Sequence, residues 1–322
     1  MESRSRIPFR ANETGGFEGR GHRARVEASL QHEQASRTAL LIAASLVLLH
    51  HNPKYSRIVS KTSADLCAQV LEKHSSQTRL FSKIVRQTWF RPIAKLIERI
   101  TIPGILVHYA LRKKCIREVA RSALAKGVAQ VVILGAGFDP LSSELQEEFP
   151  TALFWEIDHP ATQRHKVRAC SKIGIERVHF VAVDLGAAGL DREALISSGF
   201  DPVKRTFWIA EGLLMYFPAD IVSSLIRTLS SLSAPGSQLV FTFMEKQRDG
   251  HIRFDSQTKL VDWWLRTRGE PFLWGTSQGE LAEFIGPWRV IRFFDDNYFR
   301  DMQSELADEV IAKGEVICLA EI

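Results

Sequence analysis

Gly135-Ala136-Gly137 follows the apolar run Val131-Val132-Ile133-Leu134 and leads into Phe138-Asp139-Pro140. Glycines so spaced let a ligand approach the backbone, as at the first β–α turn of a nucleotide-binding sheet; they equally suit a tight turn without a ligand. Glu156 and Asp158 come twenty-one and twenty-three residues after Gly135, where a carboxylate can accept from both hydroxyls of a ribose diol. Asp184 and Leu185 could receive an adenine amino group and pack its ring, and Glu211-Gly212 adds a fourth polar end. Each acid alone fits a helix cap as well as a ligand contact. Four polar strand ends, the glycine turn included, converge on one crevice, which favours a nucleoside-containing cofactor.

The elements that must position these residues alternate. Apolar runs at 131–134, 153–158, 178–185, 206–212 and 238–243 read as strands, separated by helical patterns at 161–171, 191–198 and 220–232. Asp139 reads as an N-cap, with Pro140 at the first helical position. Such alternation predicts a doubly wound α/β fold with a mostly parallel sheet. Segments 289–294 and 316–320 read as two final strands at the sheet edge, for seven strands in all. Ahead of the sheet, helical patterns run from Ser36 to Leu49 and at about 63–74, 78–87, 91–99 and 105–126. The expected organisation is a disordered tail over 1–33, a helical cap over 34–128, and an α/β core over 129–322.

The 322 residues carry a net charge of +5 that is unevenly spread. Residues 1–130 hold 23 Lys/Arg against 9 Asp/Glu, and residues 131–322 hold 19 against 28. The asymmetry fits a basic cap over an acidic catalytic half, or one that receives an anionic substrate. No zinc pattern or aromatic-interleaved basic run points to nucleic acid. Cys67, Cys115, Cys170 and Cys318 are too dispersed for a disulfide frame or a metal site, which suggests reduced thiols. The apolar stretch 39–49 is too short to span a bilayer, and no secretory signal is visible. A cytoplasmic protein with no membrane, nucleic-acid or metal partner is expected.

The dinucleotide fingerprint needs a third glycine where Pro140 stands, and no Lys-Ser/Thr follows as in a P-loop. A site with ribose and adenine acids but no pyrophosphate machinery suits S-adenosyl-L-methionine (SAM), which is cationic at sulfur and needs no anion cradle.

Together with Val131–Pro140 and Asp184-Leu185, the blocks Phe154-Trp155-Glu156-Ile157-Asp158-His159-Pro160 and Glu211-Gly212-Leu213-Leu214-Met215-Tyr216 resemble the leucine carboxyl methyltransferase family. That family includes the enzyme that methylates the C-terminal leucine of protein phosphatase 2A, and polyketide carboxyl methyltransferases of the tetracenomycin type. The resemblance implies a class I SAM-dependent methyltransferase fold. It also implies that Gly135 and Gly137 lie against the cofactor, Asp158 holds its ribose, and Asp184 with Leu185 holds its adenine. Glu211 would bind the methionine ammonium, Arg112 the methionine carboxylate, and Arg37 would be a second basic contact. Pro140-Leu141 stands where the family often has Thr-Arg, and Ile116-Arg117 where many members carry an acid.

The expected chemistry is in-line methyl transfer to oxygen. A carboxylate acceptor is already ionised at neutral pH and needs positioning rather than a base. Tyr216 and the basic cap are the candidates for orienting the acceptor, and His159 the candidate base for a hydroxyl. Trp263, Trp264, Phe272 and Trp274 could wall the acceptor or simply pack helices. Three readings follow: a methyltransferase for a small polyketide-like acid or phenol, one for a phosphatase C-terminus, and a non-catalytic SAM-binding protein. The Ser-Arg-Thr-Ala opening at 36–39 favours the first.

Overall fold

The computed structural model describes residues 37–322 apart from 172–174, 176, 268–270 and 307. The tail expected over 1–33 lies outside the described residues. Residues Ser36–Ile322 form one compact unit that holds the leading helices and the sheet together.

Every residue of β1 (Gln130–Leu134) and β4 (Thr206–Ala210) is buried, as continuous apolar runs flanked by helices on both faces require. β2 (Leu153–Asp158), β3 (Val178–Ala182) and β5 (Gln238–Glu245) complete the parallel set. β7 (Arg289–Phe294) and β8 (Glu315–Glu321) follow as antiparallel strands. The order is β3-β2-β1-β4-β5-β8-β7, so the seven expected strands form the main path. An eighth strand, β6 (Gly275–Thr276), pairs with the end of β5. β8 lies between β5 and β7, which brings Glu315 opposite Met244. Strand order reverses between β1 and β4, and the crevice beyond their carboxyl ends is where such sheets take ligands.

Among the described residues, five helices precede the sheet: Arg37–His50, Lys61–His74, Ser76–Val85, Phe90–Ile100 and Ile105–Ala125. The last buries Val107, His108, Leu111, Arg112, Cys115 and Ile116 along one stripe. His108 and Arg112 therefore sit at i and i+4 inside the protein. A buried arginine needs partners, and the site supplies them.

The expected cap after β1 shifts by one residue. The next helix starts at Leu141, and Pro140 takes the cap position with no side-chain bond. One Asp139 oxygen accepts from the Leu141 N–H at 3.1 Å, and the other is drawn to Lys113.

Candidate functional site

A cleft of about 250 Å³ opens at the carboxyl ends of β1, β2 and β4. Gly135 and Gly137 form its floor with φ of +61° and +50°, the left-handed region that favours glycine. A Cβ on Gly135 would stand 2.6 Å from Leu213 Cδ1, and one on Gly137 would stand 3.1 Å from Ala39 Cβ. The glycines thus turn the chain out of β1 and let the first helix close down on the turn. That helix supplies Thr38, Ala39, Ile42, Ala43 and Leu46 as the opposite wall.

A chain of buried charges runs along one side. Arg112 donates from Nε to Glu211 at 2.8 Å and from Nη1 to both oxygens of Glu315 at 2.8 and 2.7 Å. His108 Nε2 meets Glu315 at 2.8 Å. Lys113 bridges Asp139 at 2.8 Å and Glu211 at 3.1 Å. Lys166 pairs with Glu156 at 2.6 Å and also donates to the Asp139 carbonyl. Burial alone would raise the Glu315 carboxyl, but Arg112 and His108 outweigh it and hold it at about 2. Asp139 is likewise lowered: Lys113 and Lys166 overcome its burial. Lys113 is raised, since Asp139 and Glu211 outweigh the desolvation that would discharge it. Of the carboxylates and fixed cations, Asp139, Asp158 and Glu211 line the cleft itself against Arg112 and Lys113. Such a lining suits a cationic ligand.

At the end of β2, Asp158 accepts from the Gly137 N–H through one oxygen and from the His159 N–H at 2.6 Å through the other. Burial dominates here and raises the carboxyl despite both donors.

Of the residues singled out from sequence, Arg112, Gly135, Gly137, Asp158, Glu211 and Tyr216 line this one cleft. Arg37 opens the first helix, and its side chain lies outside the described residues. Three expected contacts are not brought to the cleft. Asp184 turns inward on its own loop, accepting from the Gly186 and Ala187 N–H groups at 3.0 and 3.2 Å. Leu185 is buried in the core cluster that carries Trp155 and Trp208. His159 accepts from the Ala161 N–H at 3.3 Å and stands 3.7 Å from Asp184, as a turn residue does.

The aromatic wall also divides. Trp274 belongs to the main core, and Trp263 is 62% exposed. Phe272 meets Tyr216, ring to ring at 5.7 Å. The Trp264 side chain lies outside the described residues. Sequence reading missed Lys113 and Glu315 as site groups. Lys113 carried a signal, a second cation beside Arg112 on one helix. Glu315 carried none, being 203 residues from the arginine it holds.

The family model described as leucine carboxyl methyltransferase matches residues 39–230. A curated protein of Mycolicibacterium smegmatis, described as a "putative S-adenosyl-L-methionine-dependent methyltransferase", is 36% identical over 163 residues, 50% of this chain and 52% of that one. A protein of Frankia alni with the same description is 38% identical over 191 residues, 56% of this chain and 63% of that one. The matches thus span from about half to 63% of these relatives' lengths. Among solved structures, a "putative methyltransferase" from Thermobifida fusca aligns with a TM-score of 0.52 at 16% identity, over 79% of this chain and 93% of that one. That likeness is one of fold.

Proposed function

The chain belongs to the leucine carboxyl methyltransferase family, and from that premise we propose that it is a SAM-dependent O-methyltransferase acting on a carboxylate, or a hydroxyl, of a small molecule. The observation that carries the proposal is the shared cleft: the Gly135–Gly137 turn, Asp158, Glu211 and the Arg112–Lys113 pair all line it. The donor set fits the cofactor. Glu211 can receive an ammonium, and Asp158 can accept from ribose hydroxyls in exchange for its present N–H donors. Arg112 spends Nε and Nη1 on protein carboxylates and Lys113 bridges Asp139 and Glu211, so the methionine carboxylate would share one of these two cations with its protein partners. The excess of carboxylates favours the sulfonium. Asp184 and Leu185 stay candidates for the adenine end only if the loop at 184–187 rearranges.

Bound there, the cofactor would supply an electrophilic methyl on its sulfonium sulfur. The protein's own part is orientation and exclusion of water. Tyr216 lines the cleft and packs against an apolar cluster containing Met215, Met244, Phe254 and Phe272. The cleft's own apolar wall, with Ile42, Leu46 and Leu213, suits a largely apolar acceptor presenting one carboxylate toward Tyr216. The position of His159 outside the cleft leaves a hydroxyl acceptor without its proposed base, and this favours the carboxylate.

The test is methyl transfer from radiolabelled SAM to three acceptor classes: small aromatic carboxylic acids, phenols, and a peptide ending in leucine. The proposal predicts a base-labile methyl ester on a small acid. Label in the phenol or the peptide alone would overturn the acceptor assignment. No label in any arm, together with no SAM binding, would overturn the methyltransferase reading.

A further inference from the structure

The helix Phe90–Ile100 carries its amphipathic faces inside out. Trp89, Ile93, Leu96, Ile97 and Ile100 fall at helical spacing on one stripe, yet they are between 42% and 60% exposed. No described residue of this helix is buried. Its polar side is the one turned inward. Half-buried Arg91 and Glu98 line a second cleft of about 250 Å³ together with Tyr55 and Glu309, with Lys95 at its exposed edge. Two bonds pin that orientation: Glu98 accepts from the Leu106 N–H at 2.9 Å, and Arg91 donates to the His51 carbonyl. The apolar stripe therefore faces out by construction, and contiguous exposed apolar surface marks a contact.

Size and charge identify the contact. A stable dimer needs roughly 20–30 residues a side, which a stripe of five does not approach. A helix lying in a membrane interface needs only an apolar face flanked by cations. From Lys73 to Arg99 the chain holds seven Lys/Arg against one acid, Glu98. Lys73, Arg79, Lys83, Lys95 and Arg99 of that set are exposed. The whole of 37–130 holds 17 Lys/Arg against 4 Asp/Glu.

We propose that this helix docks the protein on an anionic lipid surface, with its stripe at the acyl boundary and its exposed Lys95 and Arg99 on the headgroups. No described helix is long and apolar enough to cross a membrane, so the association is in-plane. The proposal revises the sequence expectation of no membrane partner, and it stands apart from the methyl-transfer reading.

The experiment is co-sedimentation of the full chain with vesicles of phosphatidylcholine alone, or with a quarter of phosphatidylglycerol, at low and high salt. The expected result is binding to the anionic vesicles only, weakened by salt, and reduced about tenfold or more in Leu96→Glu/Ile97→Glu. Those positions are exposed, so the variant should keep the wild-type circular dichroism and melting curve. A charge variant, Lys95→Glu/Arg99→Glu, should weaken binding as well. No binding to either vesicle, or equal binding by the Leu96→Glu/Ile97→Glu variant, overturns the proposal. So does a dimer in light scattering that this variant dissociates, since a second copy would then cover the stripe. Protection of 89–100 from hydrogen exchange that disappears when residues 1–36 are deleted would likewise assign the stripe to the chain itself.

Discussion

Arg112 is 3% exposed and carries its charge between Glu211 and Glu315. Removing one partner of such a group leaves an uncompensated buried charge, which typically costs about 3–5 kcal/mol. Glu315→Ala should lower unfolding stability by that order in urea denaturation, with Glu315→Gln less damaging because its amide oxygen still accepts. The same carboxyl gives a pH signature. It sits at about 2 in the folded protein against an ordinary 4.5, so folding favours the ionised form. Its stabilising contribution is complete above about 4.5 and is lost as pH falls toward 2. Acid unfolding of Glu315→Gln, followed by circular dichroism, should show a shallower slope across that window. Lys113 tests the assignment of the proposed cofactor's carboxylate. Lys113→Met should weaken SAM binding about tenfold or more, the loss of one charge-assisted contact. Unchanged affinity would return that role to Arg112 alone.

At the scale of elements, the turn after β1 joins fold to site. Gly135→Ala would place a Cβ 2.6 Å from Leu213 in a backbone of φ +61°, so both strain and collision act. Gly250, with φ +80° and nothing within 4 Å of its added Cβ, isolates the strain. Gly250→Ala should cost only about 1–2 kcal/mol in thermal melting, and Gly135→Ala more, with loss of SAM affinity as well. The strand ends were legible because buried parallel strands read as unbroken apolar runs, so Gly135, Asp158 and Glu211 could be placed at their termini before any coordinates. Asp184 and Leu185 lie outside the lining of the cleft for a local reason. β3 stops at Ala182 rather than at 185, and the Asx turn at Asp184 sends Leu185 into the core. The cap at Asp139 was off by one because its carboxylate answers to Lys113, on a helix no local pattern connects to it. Glu315 was out of reach for the same reason: only the antiparallel insertion of β8 beside β5 brings it to Arg112.

For the whole molecule, the uneven charge has a kinetic consequence. A basic helical half beside an acidic sheet half can steer an anionic acceptor, and steering fades once the Debye length falls to about 8 Å near physiological salt. With a carboxylate acceptor, kcat/KM should fall as ionic strength rises while kcat holds steady. Equal salt sensitivity with an uncharged phenol would argue against steering. Beneath every functional statement lies one claim, that the crevice at the ends of β1, β2 and β4 holds SAM. Isothermal titration calorimetry of SAM with the wild-type chain and with Asp158→Ala measures it most directly. Saturable binding to the wild type is expected, with affinity lower by about 10- to 100-fold in the variant, the value of hydrogen bonds to a charged group. Either no heat with the wild type, or equal affinity in Asp158→Ala, would contradict it.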